Sequence, residues 1–297
     1  MAWKHADSRV REKKRSLNGR ILKNTILNIL VLVVVCCGIM AVAMQSLANS
    51  ILLDSLQPMA RQSAKTVEAN IHMLADRMMT IAGDTRITEP ADNSRAVRQG
   101  VLEEAAEIYE LHTIGFYNLN GSLVQGIDGA PEGLDSSFFA LLKETDNLTT
   151  DDSTIYQGGL GITMGMPVKA DGETVLYVVG VYKYDTLNDV ISSINLGRHG
   201  MAYMVSHDGI VTGHPDQSVV LSGRTLSQMC GESQKTVDRV VSHETGAAEF
   251  QVDGKTMLAA FSPIRGTEWS LVIQLPKADY SSYINGAMLV AVLSTLA

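Results

Sequence analysis

Three cysteines in 297 residues leave little room for a disulfide framework. Cys36 and Cys37 are neighbours inside an apolar run and Cys230 stands alone, so neither number nor spacing suggests a stapled exterior or a metal cluster. Signatures of catalysis are missing as well. Gly158-Gly159-Leu160-Gly161 is glycine-rich, but no Lys-Ser or Lys-Thr follows and the next residues read as strand, which excludes a phosphate-cradling loop. There is no Gly-x-Ser-x-Gly elbow and no His-Glu-x-x-His pair. Aromatic residues are scarce, 5% of the chain, which makes any local concentration of them informative. Charge is absent altogether between Lys23 and Asp54.

That uncharged gap holds "TILNILVLVVVCCGIMAVAMQSL" (25–47). Its length suffices to cross a bilayer, whose core takes about 20 apolar residues. Ala41-Val42-Ala43 looks like a cleavage site, but the run is longer than the roughly 7–15 residues of a signal h-region, so it reads as an uncleaved anchor. Residues 1–24 carry eight Lys and Arg against Asp7 and Glu12, a net of +6. The whole chain is −8, which leaves −14 on residues 25–297. A basic flank beside a span belongs in the cytoplasm and places the acidic remainder, from about 48 to 280, outside; it does not call for nucleic acid. The final run "YSSYINGAMLVAVLSTLA" (280–297) is also uncharged. It is expected to be the start of a second span, which would make the sequence one part of a longer chain.

Beyond the first span the pattern stays helical. Ala60, Ala64, Val67, Ile71, Leu74, Met78 and Ile81 recur at alternating steps of four and three, a heptad seam. Such a seam can pack on the protein's own sheet or form a dimer stalk. Pro58 either kinks this helix or starts a fresh one. "EPADNSR" (89–95) interrupts it, and "AVRQGVLEEAAEIYELH" (96–112) predicts a second helix. The period then changes from 3.6 to 2. Four turn dipeptides follow, at Asn120-Gly121, Asp171-Gly172, Asp208-Gly209 and Asp253-Gly254, each between alternating runs and each expected to close a two-residue hairpin. Gly209 lies 88 residues after Gly121, and Gly254 lies 82 after Gly172. With the helix predicted at 185–197 between them, this reads as two copies of one α+β module.

The ordered motifs carry a resemblance. "GRHGMAYMVSHDGIVTGHPD" (197–216), "TEWSLVIQLP" (267–276) and "ITMGMPVKADGETVLYVVGVYKYDTLNDV" (162–190) resemble the sensor regions called double Cache (dCache), PAS-like extracytoplasmic domains of bacterial receptors. The stretch "LQPMARQSAKTVEANIHMLADRMM" (56–79) is similar to those of methyl-accepting chemotaxis proteins. The resemblance implies an α+β fold with these parts: a cytoplasmic tail (1–24), a transmembrane helix (25–47), a stalk helix (48–88), a membrane-distal module (89–196), a membrane-proximal module (197–279) and the start of a second transmembrane helix (280–297). It implies a chemoreceptor sensor in a bacterial plasma membrane that binds a small molecule in the distal module, signals by helix displacement, and forms a homodimer through stalk and membrane helices. It is not expected to be an enzyme or to need a cofactor. A sensor region of a histidine kinase or diguanylate cyclase is the alternative; a surface module that only dimerises or binds a partner is a further one.

Candidate ligand contacts come from the distal module, where Tyr117, Phe138, Phe139, Tyr156, Tyr177, Tyr182 and Tyr184 concentrate. The resemblance narrows them. Amino-acid-binding dCache domains carry an Arg-x-Trp-Tyr stretch and later Asp residues. Here Asp135-Ser136-Ser137-Phe138-Phe139 stands at that stretch, so the Arg that would clamp a carboxylate is missing. Tyr182 stands where an Asp would take the ammonium, with Asp152 or Tyr156 at an intermediate position. The expected ligand-binding residues are therefore Tyr117, Phe138, Phe139, Asp152, Tyr156 and Tyr182, and the expected ligand is no α-amino acid held by that charge pair. No metal site is expected. His207 and His214 lack a third ligand in sequence reach, and Asp151-Asp152 reads as a solvated turn.

Overall fold

The computed structural model describes residues 3–88, 94–194, 199–231 and 233–281, with 286 and 290, and their side chains from residue 21 onward. The chain divides into two compact units, Met1–Ile51 with Ala278–Ala297, and Leu52–Lys277. In the first, the helix α1 (Trp3–Ala82) contains an apolar stretch long enough to cross a membrane. Its Leu, Ile and Val side chains from Ile21 to Leu47 are exposed, apart from the half-buried Val33, as a lipid-facing surface requires. The side chains of the basic tail before residue 21, the break at 89–93 and most of the expected second span lie outside the described residues.

In the second unit α1 continues to Ala82 without interruption at Pro58. All seven seam residues are buried, from Ala60 at 0% exposure to Ile81 at 4%. The seam therefore packs within the protein itself. After α2 (Thr85–Thr88) comes α3 (Arg95–Ile108), capped by Ser94, whose hydroxyl accepts from Val97 N. This helix stops short of the expected residue 112. Glu110 has φ +54°, which breaks the helical path, and Leu111 and His112 open a strand instead.

The distal module comprises β1 (Leu111–Tyr117), β2 (Leu123–Gly126), α4 (Ser136–Thr145), β3 (Thr149–Thr150), β4 (Ile155–Tyr156), β5 (Gly159–Ala170) and β6 (Glu173–Lys183). The connecting helix α5 (Asp185–Ser193) ends before residues 195–198, which lie outside the described residues. The proximal module comprises β7 (Met201–Ser206), β8 (Val211–Gly213), α6 (Gln217–Leu221), α7 (Leu226–Cys230), α8 (Gln234–Val241), β9 (Gly246–Val252), β10 (Lys255–Ile264) and β11 (Trp269–Pro276). Strand order is β2-β1-β6-β5-β3 in one sheet, with β4 on β5, and β8-β7-β11-β10-β9 in the other. Both are antiparallel, and both read second, first, last, next-to-last, third within their module, the short β4 lying off the distal path. The repeat inferred from turn spacing is a repeat of topology.

Only two of the four turns are two-residue hairpins of the expected kind. Asp171-Gly172 and Asp253-Gly254 have positive φ at both positions, the signature of a type I′ turn. At Asn120-Gly121 and Asp208-Gly209 only the glycine is positive, and β1–β2 and β7–β8 each carry a register shift. A single left-handed glycine with a bulge gives a longer, more twisted connection.

Candidate functional site

The distal sheet offers two faces, and period-2 geometry sorts its side chains between them. On β6, Gly180 and Tyr182 face α1. A Cβ on Gly180 would meet Met78 Sδ at 3.3 Å, and Tyr182 donates its hydroxyl to Leu74 O at 2.9 Å. Tyr177, Val179 and Val181 face the other way. Tyr177 and Val179 pack with Tyr117, Phe138 and Leu142 into a small core, and Val179 and Val181 also border a cavity of about 370 Å³. That size falls within the range of small-molecule sites.

Each wall of this cavity has a local cause. From β1 come Thr113 and Tyr117, four residues apart and so on one face of the strand. Between them Gly115 keeps the strand bare, because a Cβ there would sit 2.8 Å from Leu123 Cδ1. From α4 comes Phe138. Asp135 fixes the start of that helix, its carboxylate accepting from Ser137 N at 2.8 Å and Phe138 N at 3.3 Å. The Ser137 hydroxyl and these amides hold the Asp135 carboxyl below its ordinary range. Gly165 makes room for Phe138, whose Cζ would lie 3.1 Å from an added Cβ. Asp151, Ile155, Tyr156 and Gln157 form a further part of the wall, and the loop before α4 adds Pro131, Leu134 and Asp135. Tyr156 donates to Gly129 O at 2.6 Å and is held there by Gln157 Nε2 at 3.1 Å.

The polar character of the cavity is one-sided. Among the described residues that line it, none is Lys or Arg. Asp151 is half-buried, and desolvation pushes its carboxyl up from the ordinary value. Burial raises the Tyr117 phenol strongly, with Tyr156 adding to the effect. Thr113 is 2% exposed and its Oγ1 has no hydrogen-bond partner.

Of the residues expected from sequence, Tyr117, Phe138 and Tyr156 meet at this cavity. Phe139 does not line it. It packs against the turn at Gly121 and edge-on to Tyr177, with centroids 5.6 Å apart. Tyr182 lies on the opposite face of the sheet, so the position aligned with an ammonium-binding Asp points at α1; β6 turns Val179 and Val181 toward the cavity instead. Asp152 also points away, and its neighbour Asp151 takes the lining place. Nor is Asp151-Asp152 a solvated turn. Asp152 Oδ2 lies 2.8 Å from His207 Nδ1, whose Nε2 is 3.2 Å from Asp208 Oδ1. These three side chains hold their nearest donor atoms within 4.8 Å of one another. His207 therefore has one carboxylate partner beside it in the chain, Asp208, and one, Asp152, from a segment more than fifty residues away. His214 is a buried strand-end residue, its Nδ1 accepting from Asp216 N at 2.9 Å. Asp151, Val179, Val181 and Thr113 line the cavity without having been expected to; for Thr113 the alternation Thr113, Gly115, Tyr117 in "HTIGFY" is the available signal.

The segment 151–155 also ties the modules together. Trp269 Nε1 donates to Asp152 O at 2.8 Å, and Thr154 Oγ1 donates to Thr212 O at 2.6 Å.

The sequence profile of dCache_1, a Cache domain, matches residues 44–284. The chain belongs to the Cache domain family. Solved structures with the same fold as this Cache domain include the ligand-binding domain of the Pseudomonas fluorescens chemoreceptor CtaA in complex with L-isoleucine (22% identity, TM-score 0.61, covering 77% of this chain and 94% of that one). Another is that of Pseudomonas aeruginosa PctB in complex with L-Arg (20%, TM-score 0.62, covering 77% and 97%). A third is that of P. aeruginosa PctC in complex with GABA (19%, TM-score 0.60, covering 75% and 98%). Among curated proteins, this Cache domain is 27% identical over 121 residues to the methyl-accepting chemotaxis protein PctB of P. aeruginosa, 40% of this chain. It is 26% identical over 157 residues to McpG of Pseudomonas putida, 50% of this chain. The matched parts span 18% and 24% of those two proteins.

Proposed function

We propose that this Cache domain is the extracytoplasmic sensor of a transmembrane bacterial chemoreceptor. It binds a small polar molecule in the distal cavity and has no catalytic step of its own. The charge asymmetry about the apolar stretch of α1 supports an outward-facing sensor, and similarity to chemotaxis receptors supports the output. Ligand binding would bias two arrangements of the modules by its differential affinity for them, and the readout would be a small displacement of the membrane helices. Dimerisation through α1 and the membrane segments belongs to the same proposal. Met59, Met73 and Met79, which α1 leaves 41–54% exposed, are available to that contact.

The observation that carries the ligand reading is the lining of the distal cavity. An unpartnered Thr113 hydroxyl and the Asp151 carboxylate meet aromatic walls, with no cationic side chain. CtaA and PctB bind L-isoleucine and L-Arg; an α-carboxylate here would find no guanidinium or ammonium. The ligand of this chain is therefore a donor-rich molecule without a free α-carboxylate clamp. A thermal-shift screen of the full chain in detergent micelles tests this. A ligand at a hundredfold excess over its Kd adds about 2.7 kcal/mol, so a carboxylate-free metabolite should raise Tm, and Thr113→Val should roughly halve the rise. Several free L-amino acids raising Tm, with the effect reduced in Thr113→Val, would overturn it.

A further inference from the structure

A second, larger cavity of about 580 Å³ lies between the two modules. Phe138 and Ile155 line it from the distal side, Ile210 and Val220 from the proximal side. Against these apolar walls the charged groups are of one sign. Asp151, Asp152, Asp208 and Glu268 line the cavity together with His207, and no Lys or Arg does so. The outer part of this set satisfies itself, since both ring nitrogens of His207 are taken by the carboxylates of Asp152 and Asp208. The inner part is unsatisfied. Asp152 Oδ1 and Thr212 Oγ1 are buried without hydrogen-bond partners, and Thr212 is 2% exposed. Buried polar atoms of native proteins are almost always paired, so an orphaned carboxylate oxygen beside an orphaned hydroxyl on one cavity points to a polar group, with a donor for the carboxylate, supplied from outside the chain.

We propose that this inter-module cavity is a second ligand site, for an organic ammonium compound with an apolar body. Its nitrogen donates to Asp152 Oδ1 and Thr212 Oγ1, and the body lies against Phe138, Ile155, Ile210 and Val220. A charge-assisted hydrogen bond to a carboxylate is the strong kind, and an apolar pocket with few convergent polar groups is the usual form of such a site. A bare metal ion fits less well. The nitrogens of His207 face two different carboxylates, and a metal would engage one nitrogen only. Phe138, Asp151 and Ile155 line both cavities, so an occupant here reshapes one wall of the distal cavity, and the two sites are energetically coupled. The argument for this site does not rest on the identity of the distal ligand, and the coupling is read only when both cavities are filled.

Calorimetric titration of the full chain in detergent micelles tests it, with 2-phenylethylamine and cyclohexylamine as amine probes, phenylacetate as the same body with opposite charge, and zinc chloride as the metal. The amines should bind and phenylacetate should not. Asp152→Asn should weaken the amines about tenfold or more. The near-isosteric Thr212→Val, which spares the ion pair of His207, should weaken them several-fold, and Thr113→Val in the distal cavity should leave them unchanged. Four results would overturn the proposal: neither amine binding at millimolar concentration; phenylacetate binding equally well; amine affinity following Thr113→Val instead of Thr212→Val; or zinc binding that depends on His207 while displacing the amines.

Discussion

The two modules share one strand order and differ in what lies against the sheet. In the proximal module Tyr203, Met229, Phe250, Met257 and Phe261 close with Cys230 into a single packed core, each at 5% exposure or less. The Cys230 thiol is pushed up to about 12 by that burial, so this cysteine is a packing residue and not a reactive one. In the distal module the corresponding core is small, and beside it Thr113, Tyr117 and Asp151 border open volume. The same topology has thus been filled once with apolar side chains and once with a polar cavity. The difference teaches where sequence constraint acts: the strand order tolerates either filling, and the residues on one face of β1 and β6 decide which.

The largest expected effect breaks the packed side. Phe261 is fully buried, with the Arg239 guanidinium 5.0 Å above its ring. Phe261→Ala should cost about 3–5 kcal/mol in urea unfolding. A cost below about 1 kcal/mol would mean the proximal core is as loose as the distal one. The matching change on the open side is Thr113→Val. It removes a hydroxyl that has no partner, so stability should hold or rise slightly, while affinity for a distal ligand should fall about tenfold. A variant that is both unstable and unimpaired in binding would reverse the contrast between the modules.

Much of the architecture was legible because it rests on short-range patterns. The heptad seam announced a buried helix face, and the Asx-Gly pairs announced where strands reverse. The spacing of Gly121 and Gly209 announced two copies of one module. Legibility failed where a fact depends on facing or on distant contact. Tyr182 shows the first case. A strand's side chains alternate, so an alignment displaced by one residue moves a side chain to the other face, and the sequence aligns Tyr182 with a ligand contact that β6 turns toward Leu74. Asp152 shows the second. Its partners His207 and Trp269 lie in the other module, and nothing in "TTDDST" signals them.

Tyr182 also sharpens the comparison at smaller scale. Tyr182→Phe removes the hydrogen bond to Leu74 O and leaves that carbonyl one partner short, a loss of about 1 kcal/mol by urea unfolding. Ligand affinity in the distal cavity should be unchanged, since the ring faces α1. A tenfold loss of affinity without loss of stability would return Tyr182 to the cavity.

The smallest effect concerns charge and works through pH. Asp151 has no close analogue in the packed proximal core. Burial raises its carboxyl pKa above 3.8, with Asp135 nearby adding to the rise. The folded chain therefore holds this proton more tightly than the unfolded chain does, and ionisation opposes folding. That penalty is complete above the raised pKa, shrinks as pH falls through it, and vanishes below the ordinary value. Asp151→Asn should thus be slightly more stable than the parent at neutral pH, by less than the change at Tyr182, and the two should converge on acidification. His214, whose pKa burial lowers, has the opposite dependence but is common to the two proteins and cancels in the difference. Asp152 titrates with the same sign as Asp151 and is raised mainly by burial and in part by the Asp151 charge, so its relief in Asp151→Asn adds to the gap in the same direction. A gap in Tm that widens as pH falls would show that the Asp151 carboxylate is stabilised by its surroundings, and the distal cavity would then be as self-sufficient as the proximal core.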